Sequence, residues 1–152
     1  MRDFSDVPTK EFIFGTLFVI ANKLDTLLER ELKEFDITSK QWFLSVIVSS
    51  VFDEAPTMKE AASQMGCSHQ NVKQVALKLK DKGLLKMEKD QKDQRITRMS
   101  LTEKSYAVWQ GISPKGDMFM SQIFEGISKE DMESMRTSFF KIMGNLERLD
   151  NK

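Results

Sequence analysis

The stretch TMKEAASQMGCSHQNVKQVALKLKDKG, from Thr57 to Gly83, decides how the rest of the chain is read. Thr57 and Glu60 stand three residues apart, the spacing of a reciprocal cap in which each side chain bonds the other's backbone N–H. That cap opens a short helix from Met58 to Gln64. Met65-Gly66-Cys67 is a tight turn, because Gly66 takes a positive φ without a Cβ clash. Ser68 caps a longer helix that runs to Lys82, and Gly83 closes it. Val72, Val75, Ala76 and Leu79 mark its inward face. Short helix, glycine turn and capped helix predict a helix-turn-helix.

Beyond Gly83 the period changes. Leu84–Lys89 and Ile96–Leu101 read as short strands around the polar turn Asp90 to Arg95, which predicts a β-hairpin, or wing. Upstream, Phe14, Leu17, Phe18, Ala21, Leu24, Leu28, Leu32 and Phe35 recur at helical steps from Pro8 onward. A second stripe, Ile13, Ile20 and Leu27, widens that face. A helix this apolar buries itself against more than one neighbour, here its own lobe and a partner chain. Asp36 to Ser39 forms a capped turn. A second helix follows from about Lys40 to Ser50, with Trp42, Phe43, Val46 and Ile47 as its expected buried side.

Downstream, Thr102 caps a helix carrying Tyr106, Trp109 and Ile112, which Pro114 is expected to kink or restart. Ser128 caps the last helix. There Met132, Met135, Phe139, Ile142, Leu146 and Leu149 fall at alternating three and four steps, the seam of a helix that packs along another helix. The expected fold is mainly α with a small β-wing. A winged helix-turn-helix lobe spans residues 37–105, between dimerisation helices at 1–36 and 106–152.

Charge is zero overall, with 23 Lys/Arg against 23 Asp/Glu. It is unevenly spread. Residues 57–105 hold 11 basic and 6 acidic residues, a net +5, between flanks of −4 and −1. Local charge, not the total, decides where a polyanion docks. The longest apolar run, Phe12 to Ala21, is too short for a bilayer, which takes roughly 20 residues. Acidic residues precede it where a leader carries positive charge, so a cytoplasmic protein with no membrane partner is expected. His69, the one histidine, has no acid or cysteine cluster at metal spacing, and no phosphate-loop, dinucleotide or Ser/His/Asp pattern occurs. No metal, cofactor or enzymatic activity is expected. Cys67, alone in the chain, reads as a small apolar filler, with oxidant sensing as the alternative.

On the Ser68–Lys82 helix, Ser68, His69, Gln70, Asn71, Lys73, Gln74 and Lys78 face outward, most of them near its N-terminal end. Gln and Asn pair with adenine edges in the major groove, and Lys donates to guanine. A merely solvated helix face carries the same residue types, so both readings stand on that helix alone. The wing tips the balance. Lys89, Lys92, Arg95 and Arg98 cluster on one hairpin, and a wing arginine is placed to enter the adjacent minor groove.

The stretch from Asp36 through Ser105 resembles the MarR family of bacterial transcription regulators. Ile37 to Trp42 looks like the beginning of that family's second helix, and Ser68 to Gln74 resembles the start of its recognition helix. Asp93-Gln94-Arg95 ahead of Leu101-Thr102-Glu103-Lys104 is similar to its wing signature. The resemblance implies that double-stranded, pseudo-palindromic DNA is bound by a homodimer. It implies Arg95 in the minor groove, Asp93 as the acid that holds the wing, and half-sites roughly 10 bp apart. It also implies repression as the usual mode and a small lipophilic or aromatic effector, for which Phe14, Phe18, Trp42 and Trp109 are the candidate contacts. Four positions depart from the family pattern: Met87 and Gln74 where arginine is common, Ser105 where glycine is usual, and Pro114 within a helix that is often continuous. The alternative is a winged-helix protein-interaction module without DNA binding. It accounts for the neutral charge but not for the basic island.

Overall fold

The computed structural model describes residues 6–150. Residues 1–5 and 151–152, the outer ends of the two expected arms, lie outside the described residues. Helix α1 spans Thr9–Leu32 and tightens into a 3-10 turn at Lys33–Phe35. Asp36 ends that turn in the left-handed region, with φ of 53° and its N–H on Lys33 O. Helix α2, Ser39–Ser50, opens on a reciprocal cap between Thr38 and Gln41. Buried Ser39 is satisfied from α1, its hydroxyl lying 2.5 Å from Asp25 Oδ1 and 2.8 Å from Glu29 Oε1.

Helix α3 spans Met58–Met65 and α4 spans His69–Asp81. The expected cap is present: Thr57 N donates to Glu60 Oε2 at 2.7 Å, and Glu60 N to Thr57 Oγ1 at 3.2 Å. Gly66 takes φ of 61° and donates back to Ala62 and Ser63. Ser68 Oγ accepts the Asn71 N–H. Strands β1, Leu85–Lys89, and β2, Thr97–Leu101, pair antiparallel with Met87 opposite Met99 and Glu88 opposite Arg98. Helix α5 spans Glu103–Ile123 and α6 spans Lys129–Asp150.

The core lies where α2, α3, α4 and the hairpin meet. Leu44, Ile47, Val48, Ala61, Val72, Ala76, Leu79, Leu85 and Met99 are buried there, with Leu32, Ile37 and Ile112 in the same cluster. The chain divides into two compact units at Ser113–Pro114. The second unit holds the end of α5 and all of α6, which buries no residue.

One expectation changes, and one of two alternatives for Pro114 falls. The buried side of α2 is Leu44, Ser45, Ile47 and Val48, whereas Phe43 is exposed and Trp42 and Val46 are half-buried. Apolar residues run all round this helix, so its own pattern leaves the buried face open. The packing of α3, α4 and β2 against it chooses the face. Pro114 neither ends nor restarts α5, which runs through it. Both Pro114 and Gln110, whose carbonyl loses its helical donor there, are exposed, so water can donate to that carbonyl in place of the missing N–H. No helix among the described residues is long and apolar enough to cross a membrane.

Candidate nucleic-acid interface

The exposed face of α4 is built from its cap outward. Ser68, His69, Gln70, Asn71, Lys73, Gln74 and Lys78 are all exposed, while Val72, Ala76 and Leu79 of the same helix are buried. Among the described residues, the side chains of Gln70, Asn71 and Gln74 make no hydrogen bond and those of Lys73 and Lys78 no ion pair. Their donors and acceptors are therefore open to a ligand. The far end of the helix is held. Lys104 Nζ donates to Lys82 O at 2.7 Å, and Lys82 Nζ reaches Asp36 and Gln41 Oε1. Sequence reasoning missed these two lysines, because only folding brings residues 36, 82 and 104 together.

The wing contains two arginines in contrasting settings. Arg95 is paired with Asp93, Nε to Oδ1 at 3.0 Å and Nη2 to Oδ2 at 2.9 Å, yet its side chain is 90% exposed. The fork keeps Asp93 ionised, pushing its carboxyl below the usual range through the side-chain bonds first and the Arg95 N–H second. The same bonds raise Arg95 above its ordinary value. Asp93 thus aims Arg95 without covering it.

Arg98 was expected on the binding surface, and its guanidinium is instead turned back toward the protein. Its Nε pairs with Asp90 Oδ2, and Nη1 donates to Ala55 O at 2.8 Å. The side chain is 30% exposed. Asp90 is lowered to about 2, mainly by Arg98 and then by the N–H groups of Asp93 and Lys92. Asp90 itself was not singled out from sequence. An Asp at the first position of a turn, followed by polar residues, was the signal that could have found it. Lys89 and Lys92 remain exposed, without an ion pair among the described residues.

The four candidate effector contacts lie on three helices: Phe14 and Phe18 on α1, Trp42 on α2 and Trp109 on α5. Phe14 and Phe18 stack edge-to-face on α1 with centroids 5.1 Å apart, and both are largely exposed. Trp42 and Trp109 are half-buried against the core. The indole N–H of Trp109 and the hydroxyl of Ser105, one helical turn away, are buried without a hydrogen-bond partner among the described residues. Cys67 is half-buried and packs on the core as a free thiol.

Solved structures align with the chain over almost its whole length. A MarR/EmrR family transcriptional regulator from Acinetobacter sp. ADP1 matches with a TM-score of 0.82 at 16% identity, covering 93% of this chain and 99% of its own. The chain has the MarR-family fold. The S. aureus MepR–DNA complex shares that fold with a TM-score of 0.73 at 21% identity, over 87% of this chain and 97% of the other. So does CouR from Rhodococcus jostii RHA1, solved with p-coumaroyl-CoA, at 0.76 and 17% identity over 94% and 96%. No family model matches the chain, so the MarR-family fold rests on three-dimensional likeness at low identity.

Proposed function

We propose that the chain is a MarR-like transcriptional regulator that binds pseudo-palindromic duplex DNA as a homodimer. The N-terminal half of α4 lies in the major groove and Arg95 in the adjacent minor groove. One observation carries this reading: a row of unpartnered amide and lysine side chains on α4 stands in the same lobe as a wing arginine that is aimed by Asp93 yet 90% exposed. Amides read base edges, and a guanidinium suits a narrow groove. Ser68 and His69 add contacts around the helix start, Lys78 one from its last turn, and Lys89 and Lys92 contact phosphate from the wing.

The homodimer is supported by the apolar faces of α1 and α6. Phe14, Phe18 and Ile20 on α1, and Phe139, Phe140 and Leu149 on α6, are exposed in the single chain. Patches of this kind on a lone chain mark a partner surface. Residues 1–36 and 106–152 are the proposed dimer arms around the 37–105 lobe. Repression by promoter occlusion, relieved by a small lipophilic or aromatic effector, completes the proposal. The unpartnered Trp109 N–H and Ser105 hydroxyl favour an effector that presents a hydrogen-bonding group.

Binding to a duplex selected from a random-sequence library, titrated against salt, tests the reading. Each phosphate-neutralising side chain adds about 0.9 to the slope of log affinity against log salt. Affinity is expected to fall steeply with salt, and protection to cover two half-sites about 10 bp apart. Arg95→Ala is expected to weaken binding by tenfold or more, at about 1.4 kcal/mol per decade, without dissolving the dimer. Affinity indifferent to ionic strength would favour the protein-interaction module.

A further inference from the structure

Asp90 and Arg98 join the wing to the start of the helix-turn-helix. The two oxygens of Asp90 face different partners. Oδ1 accepts the N–H groups of Lys92, at 2.8 Å, and Asp93, at 3.0 Å, which folds the turn that presents Asp93 and Arg95. Oδ2 takes the Nε of Arg98. Arg98 then reaches out of the hairpin through Nη1 to Ala55 O. The backbone beside it makes the same crossing: Met99 N donates to Pro56 O at 2.9 Å, and Arg98 bridges Thr57. Thr57 is the cap of α3. One carboxylate and one guanidinium therefore connect the wing turn and β2 to Ala55, two residues before the Thr57 cap, and the Arg98 backbone bridges Thr57 itself.

A two-stranded hairpin has little stability of its own and no fixed direction unless something holds it. For DNA, the direction matters. The wing and α4 must meet two grooves of one duplex at once, and each freedom left to the wing is lost on binding. Arg98 is poorly placed to contact phosphate itself, since two of its donor groups are occupied inside the protein.

We infer that Asp90 and Arg98 are positioning residues for DNA binding, holding the turn that carries Arg95 in register with α4. This rests on the DNA-binding reading above.

The sign of one substitution separates positioning from direct contact. Removing a negative charge beside DNA tightens binding if charge alone matters. Asp90→Asn keeps an oxygen for the turn and removes the charged bond to Arg98, and it is expected to weaken binding about tenfold. Arg98→Ala is expected to weaken it similarly. In an Arg95→Ala background, Arg98→Ala is expected to add little, because the effect passes through the wing. In the free protein, hydrogen exchange at the Met99 N–H is expected to rise in both variants, while the helical amides of α4 stay protected. The probe is the duplex selected by the wild-type chain. If the wild type binds DNA and Asp90→Asn binds equally or more tightly, the positioning role is overturned and DNA binding stands. If Arg95→Ala and Arg98→Ala act additively, Arg98 is a contact residue and the inference is again overturned. If the wild type selects no duplex, both readings fall together.

Discussion

Helices α4 and α6 carry the same kind of pattern, apolar residues at three- and four-residue steps, and meet opposite fates. α4 buries Val72, Ala76 and Leu79 completely, against α2, α3 and β1. α6 is 22 residues long and buries nothing. Its Phe139, Phe140, Met143, Leu146 and Leu149 stand between 49% and 67% exposed. Phe124, Met132, Met135, Arg136, Phe139, Phe140 and Met143 line an open groove of about 420 Å³. Periodicity tells that a helix has an apolar face. It does not tell whether the same chain supplies the cover. For α4 the cover is local in sequence. For α6 a second copy is the proposed cover.

The sharpest way to break this comparison is Phe139→Glu, which sets a charge in the α6 seam. Sedimentation is expected to show a monomer in place of a dimer, with the far-ultraviolet signal of the lobe retained. A variant that stays dimeric removes α6 from the interface. Leu79→Ala is the matching change on α4. It is expected to cost about 3 kcal/mol in urea unfolding, since a fully buried leucine leaves a cavity as well as losing its transfer energy. That cost should not depend on chain concentration in the monomeric Phe139→Glu background, whereas truncation of Leu149 in the dimer should cost more as the chain is diluted.

A smaller effect tests the turn between α3 and α4. Gly66 has φ of 61°, and a Cβ there meets no neighbouring atom within 4 Å. Gly66→Ala should therefore cost only the backbone penalty, about 1 kcal/mol, read as a lowered thermal midpoint. A loss several times larger would mean that the turn is held by more than its dihedral angle.

The smallest effect is acid sensitivity of the wing. Asp90 drops from 3.8 to about 2 in the folded chain through Arg98, and Asp93 drops through Arg95. Both values lie below those of the unfolded chain, so the unfolded chain binds more protons at low pH. The stability these groups contribute is complete above about pH 4 and is lost as pH falls toward 2. Melting curves of the wild type should drop through that window more steeply than those of Asp90→Asn. Parallel curves would show that the Asp90–Arg98 pair adds nothing to stability.

Most of the lobe was legible because its signals are local. The Thr57/Glu60 cap, Gly66, Ser68 and Gly83 each act within a few residues, and the structure sets α3 and α4 within one or two residues of the positions they mark. The hairpin followed from the change of period and a polar turn, and the outward face of α4 from its helical spacing. What could not be read were choices among chemically equal partners. Phe43 and Leu44 are both apolar neighbours on α2, yet only Leu44 is buried. Arg95 and Arg98 are both wing arginines three residues apart, yet one is presented and the other is turned back.

Sequence alone therefore determined the winged helix-turn-helix and the basic island, because caps, periods and local charge act along the chain. The role of Asp93 in holding the wing was implied by the family resemblance, and the structure supplied its fork to Arg95. Only the tertiary structure decided which face of α2 is core, that α5 continues through Pro114, and that Arg98 belongs to Asp90 and Ala55. Those outcomes depend on groups as much as 43 residues apart in the chain. Their encounter is set by packing, which no local pattern specifies.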